Sequence, residues 1–358
     1  MKIKFKIILI ILTIIFALII LLAFLLPSVI DLSKYKERIN SFISETVNRD
    51  VSIHKIKLTI LSGLGAELTD IKIGKDPELF GIESMRIRVS ILPLLQGRIE
   101  LKDVSLKDIR VFLGKVEGKQ KLIIVSHISL PSALIKGELI EIKKIKADLY
   151  KGKLLGDLTI EKGKREIGYN LFHNIESLEV EQLIKDAIGD NVTISGPLKL
   201  EGGLKGIGNN MERLEGSGSI NIGKGKIKGI ELTDIVGSIG IITTKRQISL
   251  TDFDKISGSY IIGNGYLKTE NLEMTGKDLY LKVRGTYGIV NSKLDFLVQG
   301  QIIDIPVEVK IEGTRSKPVY HLKTSKIEKK VIEELGKSGK ERIEKKGVEK
   351  LLKGIFKK

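Results

Sequence analysis

The chain is 358 residues long, contains no cysteine and carries a formal net charge of +16, which excludes a disulfide framework, thiolate chemistry and any cysteine-bound metal. Most of that charge sits at the ends: Lys2, Lys4 and Lys6 supply three positive charges, residues 326–358 hold 12 Lys/Arg against 6 Glu, and everything else carries only +7. Aromatic residues make up 5% and tryptophan is absent, so stacking on bases has little support and nucleic acid is excluded as a partner; anionic lipid headgroups suit the basic ends better.

Ile7 to Leu26 is an uncharged run of 20 residues, which as a helix is roughly 30 Å long, the thickness of a hydrocarbon core. It predicts a single transmembrane anchor within residues 1–30, its N-terminus kept cytoplasmic by the three lysines and the body displayed on the far side of the membrane. A cleaved secretory signal is the competing reading. Signal cores run about 7 to 15 residues, and Leu26-Pro27-Ser28-Val29-Ile30 lacks a small-x-small cleavage pattern. Next, Asp31–Asn48 places Leu32, Tyr35, Ile39, Phe42, Ile43 and Val47 at helical spacing. This predicts a short amphipathic helix that plugs the end of the body, with a second membrane-surface element as the other possibility.

From Val51 the period changes to two. Ile56, Leu58 and Ile60 alternate with polar or small residues, and so do Ile87, Val89 and Ile91, Ile109, Val111 and Leu113, Leu294, Phe296 and Val298, and Val307, Val309 and Ile311. Each set reads as a strand with one apolar and one wet face. Glycine is 37 of 358 residues, above the usual share of about 7%, and marks turns between these runs. Nearly all of 51–322 is expected to be β, apart from a helix near Val180–Ile188. Gly218–Lys228 repeats as Gly258–Lys268, a strand, turn, strand layout that reads as a hairpin unit, and Gly97–Lys102 more weakly resembles Gly137–Lys143 with a one-residue insertion. Stacked hairpin units grow a sheet in one direction.

At the C-terminus, Ile327, Val331 and Leu335 share one helical stripe, and Val348, Leu351, Leu352, Ile355 and Phe356 another, among lysines. That predicts a basic amphipathic helix lying on an anionic membrane surface; a solvated tail capping the sheet, or a helix engaging a partner protein, are the other readings. The division expected is 1–30 cytoplasmic tip and anchor, 31–115 helix and first strands, 116–200 middle β region, 201–322 second β region and 323–358 terminal helix.

No catalytic constellation is apparent. His54, His127, His173 and His321 lack ligand spacing, and no nucleophile elbow, phosphate loop motif or zinc-protease helix is present. Gly202, Gly203, Gly206 and Gly208 read as a turn between strands, and Asn191-Val192-Thr193 as an uninformative glycosylation match. The chain is read as a non-enzyme without cofactor or metal. A sheet this long with so few helices must either close as a sandwich or leave a groove filled by something apolar. The Ile, Leu and Val lining suits fluid acyl chains and an ordinary β-sandwich core equally, and periodicity by itself favours the sandwich. For a groove, the lining residues expected are Ile87, Val89, Ile91, Val111, Ile142, Leu294, Phe296, Val298, Val307 and Val309.

Several stretches carry a family resemblance. Asp31–Lys36, Val47–Ile53, Leu68–Gly74 and Ile91–Ile99 resemble the N-terminal region of the AsmA family; Glu215–Ile220, Gly225–Ile230, Phe253 before Ile256-Ser257-Gly258, Ile305-Pro306-Val307, Glu312-Gly313-Thr314 and Pro318 resemble its C-terminal region. The resemblance implies a mainly β fold: one inner-membrane helix, then an elongated, curved antiparallel groove in the bacterial periplasm. It also implies a part in outer-membrane biogenesis, with phospholipid or another envelope lipid as cargo along the groove. The alternative it implies is a scaffold that regulates outer-membrane protein assembly and protein targeting to membranes, with periplasmic or outer-membrane proteins as partners.

Overall fold

The computed structural model describes residues 36–47, 49–59, 64–74, 78–90, 101–116, 118–131, 133–163, 166–187, 189, 193–208, 210–228, 252–302, 305–315 and 317–323. The expected membrane anchor and the basic C-terminal helix beyond Lys323 lie outside these residues. None of the described helices is long and apolar enough to cross a membrane. The chain divides into two compact units, residues up to 150 with 154–159, and residues 151–153 with those from 160 onward.

The first unit opens with helix α1 (Lys36–Val47), then strands β1 (Val51–Thr59), β2 (Gly65–Ile73), β3 (Phe80–Val89), β4 (Leu101–Val116), β5 (Lys119–Leu130), β6 (Ala133–Lys136) and β7 (Leu139–Leu149); β8 (Gly152–Lys162) is shared between the units. Strands β1 to β5 form an antiparallel meander, β5 pairs with β7, and β6 bridges the ends of β4 and β7. As the sequence predicts, α1 is a plug: Ile39 packs on the buried cluster of Val51, Ile53, Ile56, Leu68 and Ile71. The turn into β1 is held by Ser44, whose hydroxyl accepts the Val51 N–H at 2.9 Å.

The second unit contains β9 (Ile167–Glu179), helix α2 (Val180–Ala187), β10 (Thr193–Ile194), β11 (Pro197–Ile207), β12 (Glu215–Ile222), β13 (Gly225–Lys228), β14 (Asp252–Phe253), β15 (Lys255–Gly263), β16 (Tyr266–Gly276), β17 (Leu279–Gly288), β18 (Lys293–Ile302), β19 (Ile305–Thr314) and β20 (Lys317–Leu322). Its antiparallel ladder runs β9, β11, β12, β15, β16, β17, β18, β19, β20. The predicted helix near Val180 is present. Val180, Leu183, Ile184 and Ala187 recur at i, i+3, i+4 and i+7, the stripe that lets a short helix lie on a sheet. The mainly β, antiparallel character expected from the two-residue period holds throughout; the ladder strands of both units belong to one long sheet, which among the described residues does not close on itself.

Two sequence readings are corrected. Gly258–Lys268 is a hairpin, but Gly218–Lys228 is not: β13 leaves the ladder and pairs with β10 and β14 in a small separate sheet. Close backbone contact explains the departure, since a Cβ on Gly225 would strike the Ser195 carbonyl, and Ser195 N–H donates to the Lys226 carbonyl at 2.8 Å. Nor is the glycine run a turn. Gly202, Gly203 and Gly206 lie inside β11, and only Gly208, with φ of 64°, turns the chain.

Candidate functional site

Residues directly opposite each other in a ladder share a face, so the pairing register shows what each face presents. In the first unit one face carries apolar rows running from strand to strand. Ile53, Ile71, Ile82, Ile109 and Val125 form one row; Ile56, Leu68, Met85, Leu106, Ile128 and Ala147 form the next; Leu58, Ala66, Ile87, Val104 and Leu130 form a third. The opposite face is mostly polar, with Ile124 exposed on it. There Lys57, Glu67, Arg86 and Ser105 line up, Arg86 pairs with Glu67 at 3.3 Å, and Arg88 binds Asp103, holding that carboxyl below the usual carboxylate range through a hydrogen bond to the guanidinium.

The second unit repeats the pattern over more strands. Leu178, Leu198, Ile222, Ile256, Met274, Leu281, Gly300 and Val307 form one row across eight strands. This end of the face is covered: all of these but Met274 and Gly300 are buried, and the small sheet brings the fully buried Phe253 against β16. Gly276 of β16 admits the covering strand, with Asp252 and Phe253 within 3.3 Å of where its Cβ would be. The rows beyond differ. Ile175, Leu200 and Ile220, then Leu272, Val283, Val298 and Val309, then Phe296 and Ile311, and also Leu171, Leu204 and Ile262 are all only partly buried. Their face is apolar yet incompletely covered.

A bend device keeps these faces apolar. In Leu68-Thr69-Asp70-Ile71, Leu106-Lys107-Asp108-Ile109, Ile142-Lys143-Lys144-Ile145 and Ile175-Glu176-Ser177-Leu178, the third residue has φ between 49° and 59°. Strict alternation would put apolar residues three apart on opposite faces. A left-handed residue between them shifts the phase by one, as a bulge does, so Ile71 and Leu68 both end up buried.

One polar pair interrupts the apolar face of the second unit. His173, Gly202, Gly218 and Tyr260 are successive partners across β9, β11, β12 and β15, and the Tyr260 hydroxyl lies 3.4 Å from His173 Nε2. Burial pushes the His173 imidazole below its ordinary pKa and the Tyr260 phenol above its own.

The predicted lining residues sort as follows. Ile87 stands in the third row of the first unit; Val111 lines up with Val51, Ile73, Phe80 and Ile123; Val89 meets Leu101, Ala133 and Ile142. Leu294 faces Tyr287, Phe296 lies over Gly285, and Val298 sits between Val283 and Val309. Val307 belongs to the covered row. Ile91 and the helix residues Val348, Leu351, Leu352, Ile355 and Phe356 fall outside the described residues. Leu113, read with Ile109 and Val111, is half-exposed, because the register of β4 shifts between Phe112 and Gly114. Among the described residues no three His, Asp or Glu side chains gather as a metal-ligand set.

The AsmA family model matches residues 1–123 and 107–272. The chain belongs to the AsmA family. The matched segments contain the N-terminal marks and those around Glu215, Gly225 and Phe253, while Ile305 to Pro318 lies beyond them. No curated protein and no solved structure matches the chain. In this AsmA family member sequence reasoning missed the His173–Tyr260 pair and the four bend motifs. The bends were discoverable from apolar residues spaced by three inside otherwise alternating runs; the pair was not, because 87 residues separate its members.

Proposed function

We propose that this AsmA family protein is a bacterial envelope protein, fixed in the inner membrane by Ile7–Leu26, whose apolar sheet faces hold phospholipid acyl chains in outer-membrane biogenesis. The observation that carries the reading is the gradient along the face of the second unit: a buried row at the end where Phe253 of the small sheet meets β16, then partly exposed rows of Ile, Leu, Val and Phe. A contiguous apolar surface of this extent marks a place where something apolar binds. Aliphatic rows offer area without directional contacts, which suits chains that slide. The protein's part is binding and not chemistry, and the basic C-terminal helix docks on an anionic membrane surface.

The test places a charge in an uncovered row. Val298→Glu, between Val283 and Val309, is expected to abolish co-purification of phospholipid with the full chain extracted from an envelope fraction, read by native mass spectrometry, while circular dichroism and melting remain close to wild type. Wild-type protein free of lipid would defeat the reading and favour the scaffold role, in which outer-face residues such as the exposed Phe172 and Ile261 contact assembly proteins. Unfolding by the single charge would mean a closed core, where a buried unpaired charge is not tolerated.

A further inference from the structure

The polar pair on the apolar face is built. A Cβ at Gly202 would lie 2.8 Å from the Tyr260 hydroxyl, and one at Gly218 2.6 Å from it. Only glycine at both positions lets the Tyr260 ring lie flat across two strands and reach His173. His173 itself is 5% exposed, and its buried Nδ1 has no hydrogen-bond partner. A phenol is the better donor and an imidazole nitrogen the better acceptor, so Tyr260 is assigned as the donor to Nε2 and the ring proton is assigned to Nδ1. That leaves a buried N–H donor unsatisfied, which is unfavourable until an acceptor arrives.

We propose that His173, positioned by Tyr260, donates a hydrogen bond from Nδ1 to the ester carbonyl oxygen of an acyl lipid lying on the apolar rows beside it. The inference rests on the lipid-binding reading above. An uncharged ester fits better than a phosphate, since burial opposes both an anion and an imidazolium to match it; the lowered basicity of His173 agrees. The apolar neighbours are in place on both sides, Ile175, Leu200 and Ile220 in one row and Leu171, Leu204 and Ile262 in the other. The site would therefore arrest a lipid at the junction of its chains and glycerol.

The experiment compares two probes on the full chain in detergent: dipalmitoyl phosphatidylglycerol, and its dihexadecyl ether analogue, which lacks the carbonyls. Wild type is expected to favour the ester lipid about fivefold, the worth of one net hydrogen bond. His173→Phe and Tyr260→Phe are expected to bind both lipids equally, at the wild-type affinity for the ether. With ¹³C-labelled ester carbonyls, the infrared carbonyl band should move to lower frequency on binding wild type and stay unshifted with either variant. Tyr260→Phe removes a single oxygen and keeps the test available if His173→Phe fails to fold. Equal binding of the two lipids by wild type, or discrimination that survives in the variants, would overturn the proposal alone. Failure of wild type to bind either lipid would overturn it together with the lipid-binding reading.

Discussion

Asp70 is an exposed residue with φ of 49° in the middle of a strand, a conformation that costs an ordinary L-residue about 1–2 kcal/mol and glycine little. Asp70→Val is accordingly expected to destabilise the first unit by about 1–2 kcal/mol, and Asp70→Gly to leave it near wild type, as checked by urea unfolding; the same contrast should hold at Asp108. His173 makes a pH prediction. Its folded pKa lies below its ordinary value near 6.5, so the unfolded chain takes up a proton that the folded chain refuses. Stability is highest above about pH 6.5 and falls as pH drops from there toward the folded pKa. Melting temperature should show that decline in wild type, and the slope should be smaller in His173→Phe.

At the scale of elements, the covered and uncovered parts of the faces respond differently to the same kind of deletion. Ile53 is 1% exposed in the cluster beneath α1, and Ile53→Ala is expected to cost about 2–5 kcal/mol by leaving a cavity. Val298→Ala, in a partly exposed row, should cost far less, because the site is already open to solvent on one side. Chemical denaturation of the two variants side by side checks this. If the two losses were equal, the burial gradient would have no energetic meaning. The small sheet depends on backbone approach more than on side chains: Gly225→Val should detach β13 from Ser195, read as faster amide exchange at Ser195 and Lys226, with the β11–β12 ladder still protected.

At the scale of the whole molecule, the two units use one construction: antiparallel strands with a mostly polar face and an apolar face. The sequence alone determined the strands, because two-residue alternation leaves a strand as the only element that segregates apolar from polar residues. It determined α1 and α2 by their helical stripes and, in unbroken alternating runs such as Leu294, Phe296 and Val298, which residues share a face; across a bend such as Asp70 or Asp108, and at Leu113, local alternation did not decide the face. Relations between strands were decided only by tertiary structure. Pairing register joined Leu178 to Val307 through six intervening strands, covered that row while leaving Val298 partly exposed, and turned β13 aside where a hairpin was expected. It also placed Gly202 and Gly218 inside the sheet, where their missing side chains let Tyr260 reach His173. Periodicity is local and is written into neighbouring residues; coverage and cross-strand contact depend on residues far apart in the chain, whose proximity is set by the hydrogen-bond register of the folded sheet.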